Sequence, residues 1–232
     1  MNRINLKSME LKVIAYARNG HTDKFGIPRQ SREESPILTR IVFEPEYRIP
    51  ESLRALDGFS HLWLLWGFSE VDSWSPTVRP PRLGGNKRVG VFATRSPYRP
   101  NPIGLSSVRL LAIEDGDLIV SGADVLDGTP IYDIKPYLSF SDCHPDAKNG
   151  FAEETKNRTL EVELGPGIDQ QLTTSCIRDD QVQEIYYILS QDPRPGYQED
   201  PEREYKLDYS GYRVTFSAAD QKIIVKKIEK IE

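Results

Sequence analysis

Two arginines lie within a proline-rich run that follows a short apolar segment, in the sequence GVFATRSPYRPNPIG over 90–104. Proline fixes its own φ and biases the preceding residue away from the helical region, so the three prolines also restrict their neighbours. The run is therefore expected to be extended before a ligand arrives, which lowers the entropy lost on binding. A guanidinium held in such a segment is a planar donor suited to a carboxylate or a phosphate. Arg95 and Arg99 are predicted to bind an anion, and a stiff connection with solvated arginines is the alternative.

The charge distribution supports the same prediction. The chain has 30 basic and 35 acidic residues, and a net charge of −5 does not by itself indicate a nucleic-acid binder. Residues 73–113, however, contain no Asp or Glu. They carry Arg79, Arg82, Lys87, Arg88, Arg95, Arg99 and Arg109. Distant carboxylates could neutralise these cations, but an anionic ligand is the interpretation we favour.

Composition excludes several classes of protein. Cys143 and Cys176 form no disulfide framework, and the three histidines show no metal-ligand spacing. No apolar run approaches the roughly 18 residues that a membrane span needs. The first residues also lack the apolar core of a secretory signal. We therefore expect a cytoplasmic protein without a metal site.

The first 150 residues or so show short apolar runs of strand length, separated by Gly- and Pro-rich loops. These runs cover 11–17, 37–43, 59–68, 88–93, 105–113 and 118–125, and Glu114–Asp117 has the composition of a hairpin turn. Helical periodicity between them is missing, which favours an antiparallel barrel or sandwich over a parallel α/β sheet. A G-x-G-x-x-G motif after a first strand is also missing, so a Rossmann-type cofactor domain is not expected.

The pattern changes after about residue 155. Val182, Ile185, Tyr186 and Leu189 recur at helical spacing within 179–190. Strands are predicted at 205–207, 213–216 and 223–228, and KNRTLEVELGPGIDQQ is interpreted as a further strand. We therefore expect domains at 1–155 and 156–232, the second being a small α+β unit with its own core.

Longer strings of the sequence resemble a known family. They are RPPRLGGNKRVGVFATRSPYRPNPIG, DVLDGTPIYDIKPY, LSQDPRPGY, FGIPRQ and FSHLWLLW. Together they resemble the TsaA-like family of tRNA N6-adenosine methyltransferases (TrmO). The resemblance implies a mainly β fold, a small antiparallel β-barrel with an appended small α+β C-terminal domain, and a homodimer. It further implies S-adenosyl-L-methionine as cofactor and, as substrate, threonylcarbamoyladenosine 3′ of the anticodon in threonine tRNA.

The resemblance also implies a set of cofactor contacts. These are Pro28, Arg29, Gln30, Ser69, Glu70, Arg95, Leu105, Asp127, Gly128, Thr129 and Pro130. The ligand's chemistry suits them, because Arg29 or Arg95 could pair with its carboxylate. Asp127 could accept from the ribose hydroxyls or the ammonium, and Leu105 could cover the adenine. An ordinary β-turn is the alternative for Asp127–Pro130.

The candidate catalytic residues lie in DIKPY. The cofactor brings the reactive methyl group, so the protein needs mainly to align the reactants and exclude water. A threonylcarbamoyl substituent makes the N6 proton more acidic, and Asp133 is hypothesised to accept it, with Tyr137 as a stacking surface. A structural Asp133 and a core Tyr137 are the alternative. His61, inside an apolar run, is interpreted as a core histidine.

RNA binding is predicted at four residues. Arg99 and Lys135 could bind the threonyl carboxylate or a phosphate, and Arg194 near Tyr197 could contact the anticodon loop. Structural salt bridges and helix capping are the alternatives. Two other functions remain open: a non-catalytic module that binds RNA or an adenine nucleotide, and a methyltransferase with a small-molecule acceptor.

Overall fold

The structure is a computed structural model, and it describes residues 9–23, 26–28, 30–32, 34–80, 83, 87–155, 159–194, 200, 202–219 and 221–231. The fold is mainly β, as predicted. Its N-terminal strands are β1 (Ala15–Arg18), β2 (Leu38–Phe43), β3 (His61–Gly67), β4 (Thr77–Val78), β5 (Val89–Gly90), β6 (Ile103–Glu114), β7 (Asp117–Ser121) and β8 (Pro130–Pro136). Short 3-10 helices occupy Pro50–Leu53, Leu56–Gly58, Val91–Ala93 and Gly150–Thr155, and the α-helix α1 spans Ser139–Asp142.

Six of these strands form a closed barrel in the order β1-β2-β7-β6-β3-β8. Every pairing within it is antiparallel. Alternate residues point inward, so Leu62, Leu64, Val108 and Val120 are buried in one apolar core. The sequence patterns left a barrel or a sandwich open, and the barrel implied by the resemblance is the one observed.

The hairpin predicted at Glu114–Asp117 connects β6 to β7. Asp115 and Gly116 have φ of 52° and 80°. Two central residues with positive φ match the right-handed twist of the flanking strands. The Asp-Gly pair therefore fixes the register of this part of the barrel.

The strand expected over 88–93 is much shorter than its alternating sequence suggests. Pairing ends at Gly90, and the chain turns into the 3-10 helix at Val91–Ala93. Val91 is buried, but Phe92 is 76% exposed. The amide of Thr94 donates to the carbonyl of Val91, which closes the turn before the proline-rich run begins.

The C-terminal part contains one four-stranded sheet and two helices. Its elements are β9 (Glu161–Leu164), α2 (Ile168–Thr174), α3 (Asp179–Ser190), β10 (Tyr205–Tyr209), β11 (Tyr212–Ala219) and β12 (Lys222–Lys230). The sheet has the order β10-β11-β12-β9, with β9 parallel to β12. The helix α3 has the predicted bounds. The strand predicted within KNRTLEVELGPGIDQQ is present as β9, and α2 begins at Ile168 in the same string.

The segment between β1 and β2 packs against this C-terminal sheet. Ile37 belongs to the C-terminal core, beside residues such as Leu207 and Ile188. A Cβ built on Gly26 would come within 2.6 Å of Leu207 Cδ1, and the amide of Ser210 donates to the carbonyl of Gly20. The C-terminal part has a core separate from that of the barrel, as expected, and Ile37 from the β1–β2 connection adds to it.

Within the described residues, no helix is both long enough and apolar enough to cross a membrane. The same residues hold no group of three or more His, Cys, Asp or Glu side chains that could bind a metal ion. Cys143 and Cys176 are exposed free thiols.

Candidate functional site

A groove of about 1850 Å³ lies between the barrel and the C-terminal part. The barrel side contributes the ends of β3 and β6, the loops that precede β6, and residues 124–126 and 129. The segment between β1 and β2 contributes Gly26, Ile27, Pro28, Gln30 and Arg32, and the end of α3 and the loop that follows it contribute Ile188 and 191–194. Both halves of the molecule therefore form one surface.

Arg95 and Gln30 meet in this groove. Arg95 Nη1 donates to Gln30 Oε1 at 2.5 Å, although 65 residues separate the two in the chain. The contact joins the proline-rich loop before β6 to the segment between β1 and β2. Arg95 is largely exposed, so its remaining N–H groups face the groove and can bind an anion.

Arg99 has a different role within the same loop. Its Nη1 donates to the carbonyl of Thr94 at 2.7 Å and lies near the carbonyls of Val91 and Ser96. These bonds, with the prolines, hold the loop in one shape. Arg99 lines the groove as well, but its guanidinium is partly used in bracing its own loop.

An apolar wall, made of Trp66, Phe68 and Leu105, forms another part of the groove lining. The Trp66 and Phe68 rings pack edge to face with centroids 4.4 Å apart. Leu105 is 53% exposed and lies on the other face of the strand pair, since Gly104 is the residue that pairs with Trp66. Gly104 allows this arrangement, because a Cβ there would come within 2.2 Å of the Trp66 indole. The indole Nε1–H donates to Ser106 Oγ at 2.8 Å. Trp66 is only 7% exposed, so Leu105 is the part of the wall that offers a planar ring the most apolar contact.

Asp124 is a groove residue that the sequence reasoning missed. The Ser106 hydroxyl donates to its carboxylate, and a backbone hydrogen bond from Ser31 also reaches it. Burial raises the pKa of Asp124, opposed by these hydrogen bonds and by the charge of Arg95. Its one sequence signal is a carboxylate between two apolar residues, Ala123 and Val125, just ahead of the predicted turn.

The predicted turn Asp127–Pro130 lies at the edge of the groove. Asp127 Oδ1 accepts from the amide of Asn19 at 3.1 Å, and Arg18 Nη1 lies 3.4 Å from Oδ2. Gly128 has a φ of 78°, as the tight turn requires. Thr129 is buried and lines the groove, whereas Asp127, Gly128 and Pro130 are not among the described lining residues.

Of the remaining predicted contacts, some line the groove and others lie outside the described residues. Ser69 and Glu70 are exposed and line the groove directly after β3. Arg194 lines it from the C-terminal side, and its guanidinium binds both carboxylate oxygens of Asp192 at 2.7 and 2.9 Å. Arg29 and Tyr197 lie outside the described residues.

Asp133, Lys135 and Tyr137 are not brought into the groove as the structure describes it. Asp133 Oδ2 lies 2.7 Å from Lys135 Nζ, and this pair is on the outer face of the barrel. The Tyr137 ring packs 5.4 Å from that of Trp63, and burial raises the pKa of Tyr137. His61 is half-buried on this same face, hydrogen-bonded to Ser60, so its interpretation as a core histidine is corrected.

The side chains of the groove fit the chemical groups of S-adenosyl-L-methionine. That molecule presents a carboxylate, an ammonium, a sulfonium, a ribose and an adenine. Arg95 with Gln30 suits the carboxylate, and Asp124 suits a cation. Leu105 provides exposed apolar surface for the base.

The fold and the groove are those of a β-barrel methyltransferase in two parts. A family model described as the tRNA-methyltransferase O N-terminal domain matches residues 16–143, and the TrmO C-terminal domain model matches residues 157–231. The chain belongs to the TrmO family.

Relatives extend this similarity over nearly the whole chain. A tRNA (adenine(37)-N6)-methyltransferase of Escherichia coli K12 is 37% identical over 224 residues, which cover 93% of this chain and 95% of the relative. A protein of the same name from Eikenella corrodens is 42% identical over 75% of this chain and 99% of its own length. A crystal structure of TrmO from Pseudomonas aeruginosa superposes with a TM-score of 0.80 at 31% identity, covering 98% of this chain and all of that one.

Proposed function

We propose that this protein is an S-adenosyl-L-methionine-dependent tRNA methyltransferase that methylates N6 of threonylcarbamoyladenosine 3′ of the anticodon in threonine tRNA. The observation that carries the proposal is the pairing of Arg95 with Gln30 together with an apolar wall, in a groove shared by both parts of a TrmO-family chain. A planar cation and an apolar wall at one site suit a ligand with a carboxylate and an adenine.

Different groove residues would bind different chemical groups of the cofactor. Arg95 and Gln30 would hold the carboxylate of the cofactor, Thr129 and the Asp127 turn its ribose, and Leu105 its adenine. The cofactor supplies an electrophilic methyl group when bound. The protein's contribution is then chiefly alignment of two reactants.

The tRNA would bind along the cationic side of the groove. Arg79, Arg88 and Arg194 line it, and none of the acid-free segment 73–113 offers a competing carboxylate. Exposed Tyr98 and Phe92 near these cations could stack with splayed bases. An RNA held there would contact both parts of the molecule.

Three further features belong to the proposal. The protein would act in the cytoplasm, where its tRNA substrate is found. It would form a homodimer, since exposed apolar side chains such as Trp74 and Phe140 offer a surface that a second copy can cover. The roles of Asp133 and Tyr137 in proton transfer, and of Lys135 in RNA binding, stay predictions; an unchanged single-turnover rate in Asp133→Asn would remove the first.

The test is methylation in vitro. The purified protein, S-adenosyl-L-methionine and threonine tRNA are combined, with and without the threonylcarbamoyl group, and nucleosides are measured by mass spectrometry. We expect one added methyl group on the modified nucleoside only. Methylation of a small molecule without tRNA, or tight binding of both ligands without transfer, would instead support one of the two alternative functions.

Arg95→Ala provides the variant for this assay. Loss of a charged hydrogen bond of about 1.5–3 kcal/mol is expected to weaken cofactor affinity about tenfold to a hundredfold. Arg54→Ala removes an exposed arginine outside the groove lining and is the matched control. Equal cofactor affinity in the two variants would contradict the assigned role of Arg95.

A further inference from the structure

Arginines outnumber carboxylates along the described lining of the groove. The arginines are Arg32, Arg79, Arg88, Arg95, Arg99 and Arg194, and the carboxylates are Glu70, Asp124, Glu153 and Asp192. A ligand that carries a sulfonium and an ammonium is repelled by nearby cations. A site for such a ligand in this groove therefore needs a carboxylate held close to the ligand's positive groups.

Asp124 is the carboxylate with the most constrained position. Asp192 is engaged bidentately by Arg194, and both Glu70 and Glu153 are on the exposed surface. Asp124 instead follows the buried Ala123, is itself only partly exposed, and lines the groove.

Hydrogen bonds fix Asp124 without neutralising it. The Trp66 indole donates to Ser106 Oγ at 2.8 Å, and the Ser106 hydroxyl in turn donates to Asp124 Oδ1. Serine and a backbone amide carry no net charge, and their hydrogen bonds favour the ionised carboxylate against the effect of burial on its pKa. The positive charge of Arg95 lowers the pKa of Asp124, and the same guanidinium donates a hydrogen bond to Gln30. Asp124 and Arg95 line the same groove and the charge of Arg95 acts on Asp124, so the two together suit the ammonium and the carboxylate of an amino acid.

We propose that Asp124 binds the cationic part of S-adenosyl-L-methionine, its ammonium or its sulfonium, while Arg95 binds the carboxylate. The inference rests on the proposed function, because it takes that cofactor as the ligand. Asp124 is then a specificity-determining residue: if it faces the sulfonium, the groove prefers the methyl donor to its uncharged-sulfur product.

The experiment measures binding of three ligands by calorimetry to the full chain and to Asp124→Asn. S-adenosylmethionine has both cations, S-adenosylhomocysteine has only the ammonium, and methylthioadenosine has neither. We expect the variant to bind S-adenosylmethionine about tenfold to a hundredfold more weakly and methylthioadenosine equally well. A parallel loss for S-adenosylhomocysteine assigns Asp124 to the ammonium, and no loss assigns it to the sulfonium.

Two results would overturn the inference: S-adenosylmethionine affinity within about twofold of the wild type, or an equal loss for all three ligands. If the wild type itself binds no S-adenosylmethionine, the proposed function fails rather than this assignment. Asp124→Ser is a second uncharged variant, and its hydroxyl can still accept a hydrogen bond from Ser106. It is used for the same three-ligand comparison if Asp124→Asn fails to fold.

Two controls separate charge from structure. Asp57→Asn removes an exposed carboxylate outside the groove lining, and it is expected to leave all three affinities unchanged. Ser106→Ala removes the hydrogen bond to Asp124 but keeps its carboxyl group, so at an alkaline pH its effect on S-adenosylmethionine binding is expected to be smaller than that of Asp124→Asn. An equal effect would show that Asp124 only supports its neighbours and would contradict the assignment.

Discussion

At the scale of single residues, His21 joins the barrel to the C-terminal sheet through a buried ring whose nitrogens lack hydrogen-bond partners among the described residues. It is 1% exposed, and its ring lies 5.2 Å from that of Tyr209. Burial therefore favours the neutral ring and lowers the pKa of His21 to about 4. The contact between the two parts therefore contains a histidine whose protonation destabilises the folded state.

The free energy of unfolding is expected to depend on this histidine. Because the folded-state pKa is below that of the unfolded chain, unfolding takes up a proton as the pH falls from about 6.5 to 4. The loss at pH 4 is about 3 kcal/mol. His21→Leu is expected to remove that part of the acid dependence in urea unfolding, while His144→Leu, at an exposed site, retains it. Identical pH profiles for wild type and His21→Leu would refute the prediction.

The sequence identified some groove residues better than others. Arg95 and Gln30 stand in rare, proline-braced strings, and the structure brings them into contact. Asp124, Asp127 and Asp133 could not be ranked from sequence, because each is a carboxylate in or beside an apolar run. Only barrel pairing shows that the first lines the groove and the last lies on the outer face.

At the scale of elements, the start of β6 is shaped around one indole. Trp66 on β3 pairs with Gly104 on β6, and a Cβ at Gly104 would meet indole carbons at 2.2 to 2.5 Å. The ring is buried and rigid, so it cannot give way cheaply. The same ring forms the groove wall and donates to Ser106.

Gly104→Ala is therefore expected to destabilise the fold by about 1–3 kcal/mol and to displace the indole. Urea unfolding measures the first effect, and the tryptophan emission maximum reports the second. Gly58→Ala is the control, because nothing lies within 4 Å of a Cβ there. A Gly104→Ala protein as stable as Gly58→Ala would show that the wall is looser than described.

Element prediction succeeded where periodicity was strong. The helix α3 has the predicted bounds, since its apolar residues recur at one spacing. The strand β8 was not predicted, because PIYDIKP carries prolines at both ends and alternates charged with apolar residues. The pattern over 88–93 predicted too long a strand, because pairing ends at Gly90 and Val91–Ala93 form a 3-10 helix.

At the scale of the whole molecule, the β1–β2 connection links the groove to the C-terminal core. Gly26 lines the groove and lies against Leu207, which is itself 1% exposed in that core. Pro28 and Gln30 follow within the same segment. The C-terminal sheet therefore supports groove residues that belong to the N-terminal half of the sequence.

Leu207→Ala is expected to cost about 2–5 kcal/mol of stability and also to weaken S-adenosylmethionine binding, because the support under Gly26 is lost. Ile223→Ala empties a buried site of the same core on β12 and is expected to cost a similar amount without changing affinity. Urea unfolding and calorimetry give the two quantities. Equal affinities in the two variants would mean that the groove does not depend on this contact.

Sequence patterns located two units but not their connection. The change in character near residue 155 predicted a second unit, and a boundary between 155 and 156 stays a prediction. Ile37 reads as part of a barrel strand, yet it packs with the C-terminal helices and sheet. Such a crossing contact carries no local signal, because it depends on where the barrel places the ends of β1 and β2.

Closure of the barrel limits how a neighbour can attach. Each of its six strands has a hydrogen-bonded neighbour on both sides, so the barrel strands, as described, include no free edge strand for another polypeptide to extend. A protein that docks on this half away from the short β4–β5 sheet is therefore recognised chiefly through exposed side chains such as Trp74 and Phe140. Substitutions at those positions should thus alter assembly while leaving the strand framework intact.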